Sequence, residues 1–223
     1  MKVLRFALVL ILSVMFLAVA CEEEDEEEPT PTGSPAAFSA EDARDAALEF
    51  AAESRFAGAS VEDLDWETTD LTPPGLVGAA NLQYDAEGWR VLVSYPVVAQ
   101  PTYGIGIEQL ETGEDWKGRV TSQGEVQETG FIDADGAATL EGILSAFPEE
   151  AEFDDLLLTD DSQQYGIEGA TPEVEQSIAD FIKAAVRVRV TGQLRTEPSD
   201  VEGRQIQVES IETTVPMPTI PAE

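Results

Sequence analysis

Carboxylates dominate the residues that could do chemistry. The chain carries 45 Asp and Glu against 12 Lys and Arg over 223 residues, a formal charge of -33, with no histidine and one cysteine, Cys21. Ser-His-Asp and Cys-His triads, Cys/His zinc sites and intrachain disulfides are therefore excluded. Four acids, Asp154, Asp155, Asp160 and Asp161, fall where two strands and a turn would bring oxygens together across a hairpin. Oxygen clusters of that kind suit calcium, which makes these four the candidate metal ligands. Asp133 and Asp135 before Gly136 resemble the opening of a calcium loop, but Glu141 comes too early for the bidentate position, so the stretch is expected to be a turn. Paired carboxylates can also hydrolyse glycosides. With 45 acids, chance pairs are certain, and no serine stands three residues before Lys117 or Lys183 to suggest Ser-Lys chemistry. No catalytic residue is assigned, and the expectation is a protein that is not an enzyme.

The scarce cations hold the other candidate site. Arg187, Arg189, Arg195 and Arg204 concentrate near the C-terminal end. They either neutralise neighbouring carboxylates through cross-strand pairs or form a docking patch for an acidic partner, and the first reading is favoured. So acidic a surface repels phosphate backbones and anionic headgroups, which argues against nucleic acid as a partner.

At the N-terminus, Lys2 and Arg5 precede an apolar run over residues 6–20 relieved only by Ser13. The run is too short to span a bilayer comfortably and is followed by acids, the pattern of a secretory signal. Leu17, Ala18, Val19, Ala20 and Cys21 resemble the lipobox of bacterial lipoproteins, with Ala18 where that pattern has leucine. The resemblance implies cleavage between Ala20 and Cys21, lipid on the Cys21 sulfur, and residence at the cell membrane on its extracytoplasmic face. Two or three acyl chains give durable attachment where one does not. Loss of residues 1–20 would leave ten cations against the same 45 acids. Residues 22–28 are all acidic and residues 29–35 are rich in Pro, Thr, Gly and Ser, so residues 21–35 read as an extended tether.

The expected fold class is α+β in two units. In residues 36–131, Ser39 caps a helix of about 15 residues with an acid at Asp42, and Ala43, Ala46, Ala47, Phe50 and Ala51 follow at helical spacing. Beyond it the period changes to two. Trp89, Val91, Val93, Tyr95 and Val97, then Tyr103, Ile105 and Ile107, then Trp116, Gly118 and Val120 each share a face. A helix packed on this antiparallel meander covers both apolar surfaces. Its order of elements is similar to PepSY or cystatin-like secreted domains.

Residues 132–213 read as strands over 139–147, 153–160 and 163–167, a helix, and two more strands over 186–194 and 205–212. Thr171 is the expected N-cap, Pro172 the first helical residue, and Val174, Ile178, Phe181, Ile182 and Ala185 the apolar stripe. Gly192 suits the bend that a small barrel needs. Three strands, a helix and two strands resemble the OB-fold, a five-stranded barrel. Ligands of that family lie between the loops that are here 148–152 and 196–202. Both are acidic, and only Tyr165 offers an aromatic platform. Residues 214–223 form a proline-broken tail. The function expected is a non-catalytic binding module for a protein or peptide partner at the cell envelope, the alternative being a structural or calcium-binding surface lipoprotein.

Overall fold

The structure is a computed structural model that describes residues 38–56, 61, 63–146, 155–195 and 204–214. Cys21, the tether, Asp154, the loops 148–152 and 196–202 and the tail lie outside the described residues.

Ser39 begins the first described helix, α1 (Ala40–Ser54), by accepting from the Asp42 amide while the Asp42 carboxylate accepts from the Ser39 amide. This reciprocal cap satisfies two of the helix's free amides. Seven strands follow and pair antiparallel in sequence order: β1 (Glu67–Asp70), β2 (Ala79–Ala86), β3 (Trp89–Pro96), β4 (Tyr103–Gln109), β5 (Asp115–Val120), β6 (Val126–Ile132) and β7 (Ala137–Ala146). The Asp133 carboxylate accepts from the amides of Asp135 and Ala137, and Gly136 takes a positive φ of 83°, so the stretch that resembled a calcium loop is the β6–β7 turn.

Strand β7 serves two structures. Over Ala138, Thr139 and Leu140 one edge pairs with β6, and over residues 143–146 that edge pairs with β8 (Asp155–Leu158). Its other edge pairs with β10 (Arg187–Leu194). From β10 the ladder runs to β11 (Arg204–Thr213), then parallel to β9 (Gln164–Gly169), then to β8, closing a five-stranded barrel. Helix α2 (Pro172–Ala184) connects β9 to β10. The described residues are thus α+β, with a closed barrel, an outer sheet and two helices.

Two apolar cores result. Ala43, Ala47 and Ala51 of α1 share one with Tyr84, Val91, Ile105, Ile107 and Trp116. Leu140, Leu157, Tyr165, Val190 and Val208 of the barrel strands share the other with Ile178 of α2. At Thr191/Gly192 the β10–β11 register shifts by a bulge, and a Cβ on Gly192 would stand 2.1 Å from the Gln207 carbonyl oxygen.

Three details differ from expectation. Strands β1 and β2 lie outside the runs expected to be strands, since they carry no clean alternation: β1 is Glu-Thr-Thr-Asp, exposed throughout, and β2 is half-buried along most of its length. Val97 lies beyond the end of β3 and is exposed, because Pro96 ends the ladder there. Ala185 is the left-handed C-cap of α2 (φ 51°) and not part of its apolar stripe.

Candidate functional site

Alternation along the outer sheet gives it two chemically opposite faces. Trp89, Val91, Ile105, Ile107 and Trp116 belong to the core shared with α1. Their neighbours Arg90, Leu92, Gly106, Glu108, Asp115 and Lys117 point the other way, toward the barrel, because successive strand residues face opposite sides.

Register sets these residues in rows. Asp85 is opposite Arg90, Arg90 opposite Glu108, and Glu108 opposite Asp115, one row across four strands. The next row is Gln83, Leu92, Gly106 and Lys117, and the one after it Asn81, Ser94, Gly104 and Arg119. Glycine at two of these positions lets the β8–β9 turn settle on the sheet. A Cβ on Gly104 would lie 1.8 Å from the Asp160 carbonyl oxygen, and one on Gly106 2.2 Å from Asp161 Oδ2.

Charges alternate along the contact. Gln83 Nε2 and Arg90 Nε both donate to the Asp85 carboxylate, at 2.6 and 2.9 Å. Arg90 Nη1 stands 3.7 Å from Glu108 Oε2. Arg204, from the barrel, donates to Glu108 and to Asp115, the latter at 2.5 Å. Two like charges face each other across the strands at Glu108 and Asp115, and Arg204 bridges them. Lys117 Nζ lies 3.0 Å from Asp115 Oδ1 and donates to Asp161 Oδ2 at 2.6 Å. Asp161 also accepts from Thr159 Oγ1 at 2.6 Å, and Asp115 from the Tyr165 hydroxyl at 3.3 Å. The series Asp85, Arg90, Glu108, Arg204, Asp115, Lys117, Asp161 therefore begins and ends on an acid, four acids to three bases.

Its inner end is buried. Asp115, Lys117 and Asp161 are 2%, 3% and 4% exposed. Burial alone would pull the Lys117 ammonium down, and the carboxylates of Asp115 and Asp161 overcome it, holding its pKa well above the ordinary lysine value. Burial likewise drives the Tyr165 hydroxyl upward.

A second network lies beside the first. Asp160 accepts from Arg119 Nε at 2.7 Å and, through both oxygens, from Arg187. Glu141, 5% exposed, accepts from Arg189 at 2.5 Å and lies within 3.9 Å of Arg119 and 3.7 Å of Arg187. Arg189 also pairs with Glu212 at 3.5 Å, and Arg195 pairs separately with Glu168 at 2.6 Å. All four candidate arginines thus meet carboxylates of this chain. Asp160 and Asp161, side by side in sequence, face different cations, and Asp155 lies away from that turn, on β8. Among the described residues no group of three or more His, Cys, Asp or Glu is placed to hold a metal ion.

Between sheet and barrel the first network borders a cavity of about 310 Å³. Gln83, Arg90, Glu108, Gln163 and Arg204 give it polar walls, Leu71 and Leu92 apolar ones, and Asp115 and Lys117 lie at its base. Sequence reasoning did not find this site. The signal was present in Arg90, Glu108, Asp115 and Lys117, the charges that interrupt otherwise apolar or glycine-rich strands, but which barrel residues meet them depends on contacts distant in sequence.

No protein-family model matches the chain, and neither a curated protein nor a solved structure is significantly similar to it.

Proposed function

We propose that this chain is a lipid-anchored, extracytoplasmic, non-catalytic binding module that docks a protein or peptide partner at the cell envelope. The barrel acts in it as an OB-like unit and the α1-covered meander as a PepSY or cystatin-like platform. In support of the first, the barrel order β7, β8, β9, β11, β10, with a helix between β9 and β10, is that of the OB-fold. In support of the anchor, Cys21 ends an apolar run headed by two cations.

The observation that carries docking is an apolar tip on an acidic molecule. Leu76, Val77, Val97 and Val98 are exposed, Val77 by 93%. The loops that hold them are joined by the Val97 amide donating to the Gly78 carbonyl at 2.8 Å. No charge occurs in residues 71–84 or 91–107, in a chain of net charge -33. Exposed adjacent apolar side chains mark contact surfaces, and the absence of charge lowers the desolvation cost of covering them.

A photo-crosslinking residue placed at Val77 or Val98 of the full chain in cells is expected to capture one common protein or peptide. The same residue at Glu209, exposed on β11, is the control. Equal capture from all three positions, or none from the tip, would overturn docking. The anchor has its own test: Cys21→Ser is expected to remove the lipid-bearing form, read by mass spectrometry of the membrane fraction. An unmodified Cys21 in the parent protein ends that part of the reading.

A further inference from the structure

One link in the alternating series is an ion pair without a hydrogen bond. Arg90 is held at its Nε by Asp85 and Glu108 is held by Arg204, but Arg90 Nη1 and Glu108 Oε2 are 3.7 Å apart, beyond hydrogen-bond distance. Both side chains are part exposed, 41% and 24%, and both line the cavity. The β3–β4 register sets Arg90 directly opposite Glu108. A guanidinium edge therefore stands beside a carboxylate oxygen, on rigid strands, at the wall of a small cavity.

A ligand that answers both groups carries an anion and a cation a few ångströms apart. An α-carboxylate and an α-ammonium on one carbon meet that requirement, each forming a charge-assisted hydrogen bond. Charge selects against simpler ions. The series already has one acid in excess, so a lone carboxylate on Arg90 would also face Glu108, and a lone ammonium on Glu108 would face Arg90 and Arg204. A zwitterion adds no net charge and opposes each wall with its complement. Leu71 and Leu92 then offer apolar surface to a side chain, and the volume is at the lower end of small-molecule pockets.

We infer that this cavity binds a small zwitterion of the α-amino acid type with an apolar side chain, its carboxylate on Arg90, its ammonium on Glu108 and its side chain against Leu71 and Leu92. This site is separate from the apolar tip and does not depend on the anchor.

Calorimetric titration of the chain with L-leucine, glycine, acetate and methylammonium at matched ionic strength tests it. Leucine is expected to bind saturably and glycine roughly tenfold more weakly, while acetate and methylammonium give no saturable heat up to about 10 mM. Arg90→Gln is expected to weaken leucine by about tenfold or more, since it removes the charged donor. Leu92→Trp fills the cavity without altering a charge and is expected to abolish binding, with its melting curve checked against the parent. Should that variant fail to fold, Arg90→Gln, at the exposed rim, decides alone. Acetate binding as tightly as leucine would make this an anion site and overturn the inference. So would the absence of leucine binding, or undiminished binding in a variant that melts like the parent.

Discussion

The two faces of the outer sheet are built from the same strands and held by different physics. On the α1 side, Val91, Ile105, Ile107 and Trp116 are wholly or almost wholly buried against alanines, and the contact is apolar and non-directional. On the barrel side, glycines, arginines and acids meet at fixed distances. An apolar face tolerates sliding and repacking, whereas displacing the buried inner end of the charge series, Asp115, Lys117 and Asp161, leaves charges unpaired. The ionic face is therefore expected to specify how sheet and barrel meet, and the cavity lies on that face. Five of the chain's 12 cations, Arg90, Lys117, Arg119, Arg187 and Arg204, belong to the two networks on it.

The largest expected effect separates these two kinds of contact. Lys117→Met leaves Asp115 and Asp161 buried without their shared cation, and is expected to lower stability by about 3 to 5 kcal/mol in urea unfolding. Replacing Lys117, Asp115 and Asp161 together by apolar residues of similar size is expected to recover most of that loss. If the single variant costs no more than a surface substitution, the ionic face does not specify the contact and the comparison fails.

Much of the apolar face was legible in sequence, and little of the ionic one. Ser39 with Asp42 marked the start of α1, and period-two runs marked β3, β4 and β5, because caps and alternation are local. In the barrel, Thr171 with Pro172 placed the start of α2, and Gly192 marked the bulge. Strand β1 escaped because its four residues are all exposed and owe their place to pairing with β2. The cavity escaped because its rows depend on register across four strands, and because Arg204 meets Glu108 from 96 residues away. Arg187 and Arg204 stood out as rare charges, yet nothing local says that their partners are Asp160 in a turn and Glu108 in another sheet.

A smaller effect is expected where the ionic face depends on the lack of a side chain. Gly104→Ala puts a methyl group into the Asp160 carbonyl, and must lift the β8–β9 turn that carries Asp160 and Asp161. The expected cost is about 1 to 3 kcal/mol, as for overpacking elsewhere. Hydrogen exchange should rise first at Thr159 and Ser162, whose amides donate within that turn, while the α1 amides keep their protection. Uniform loosening of both faces would show that the turn is not a separate contact.

The finest comparison uses one tyrosine on each side. Tyr84 belongs to the core shared with α1, and Tyr165 reaches Asp115 from the barrel. Burial raises both pKa values above the ordinary 10.0, and Lys117 pulls Tyr165 back while Glu41 adds to the rise at Tyr84. A folded pKa above the unfolded one means that the native state holds its proton longer. Stability from these groups is therefore complete below pH 10 and lost as pH rises toward the folded values. Lys117, also raised, follows the same sign from its ordinary 10.5. In absorbance titrations of Tyr84→Phe and Tyr165→Phe, the missing tyrosinate signal should in each case be one that forms above pH 10. In folded Lys117→Met, Tyr165 should ionise later still, having lost its nearby cation, and Tyr84 should not move. Equal displacement of both tyrosines would mean that the two faces of the sheet are electrostatically one environment.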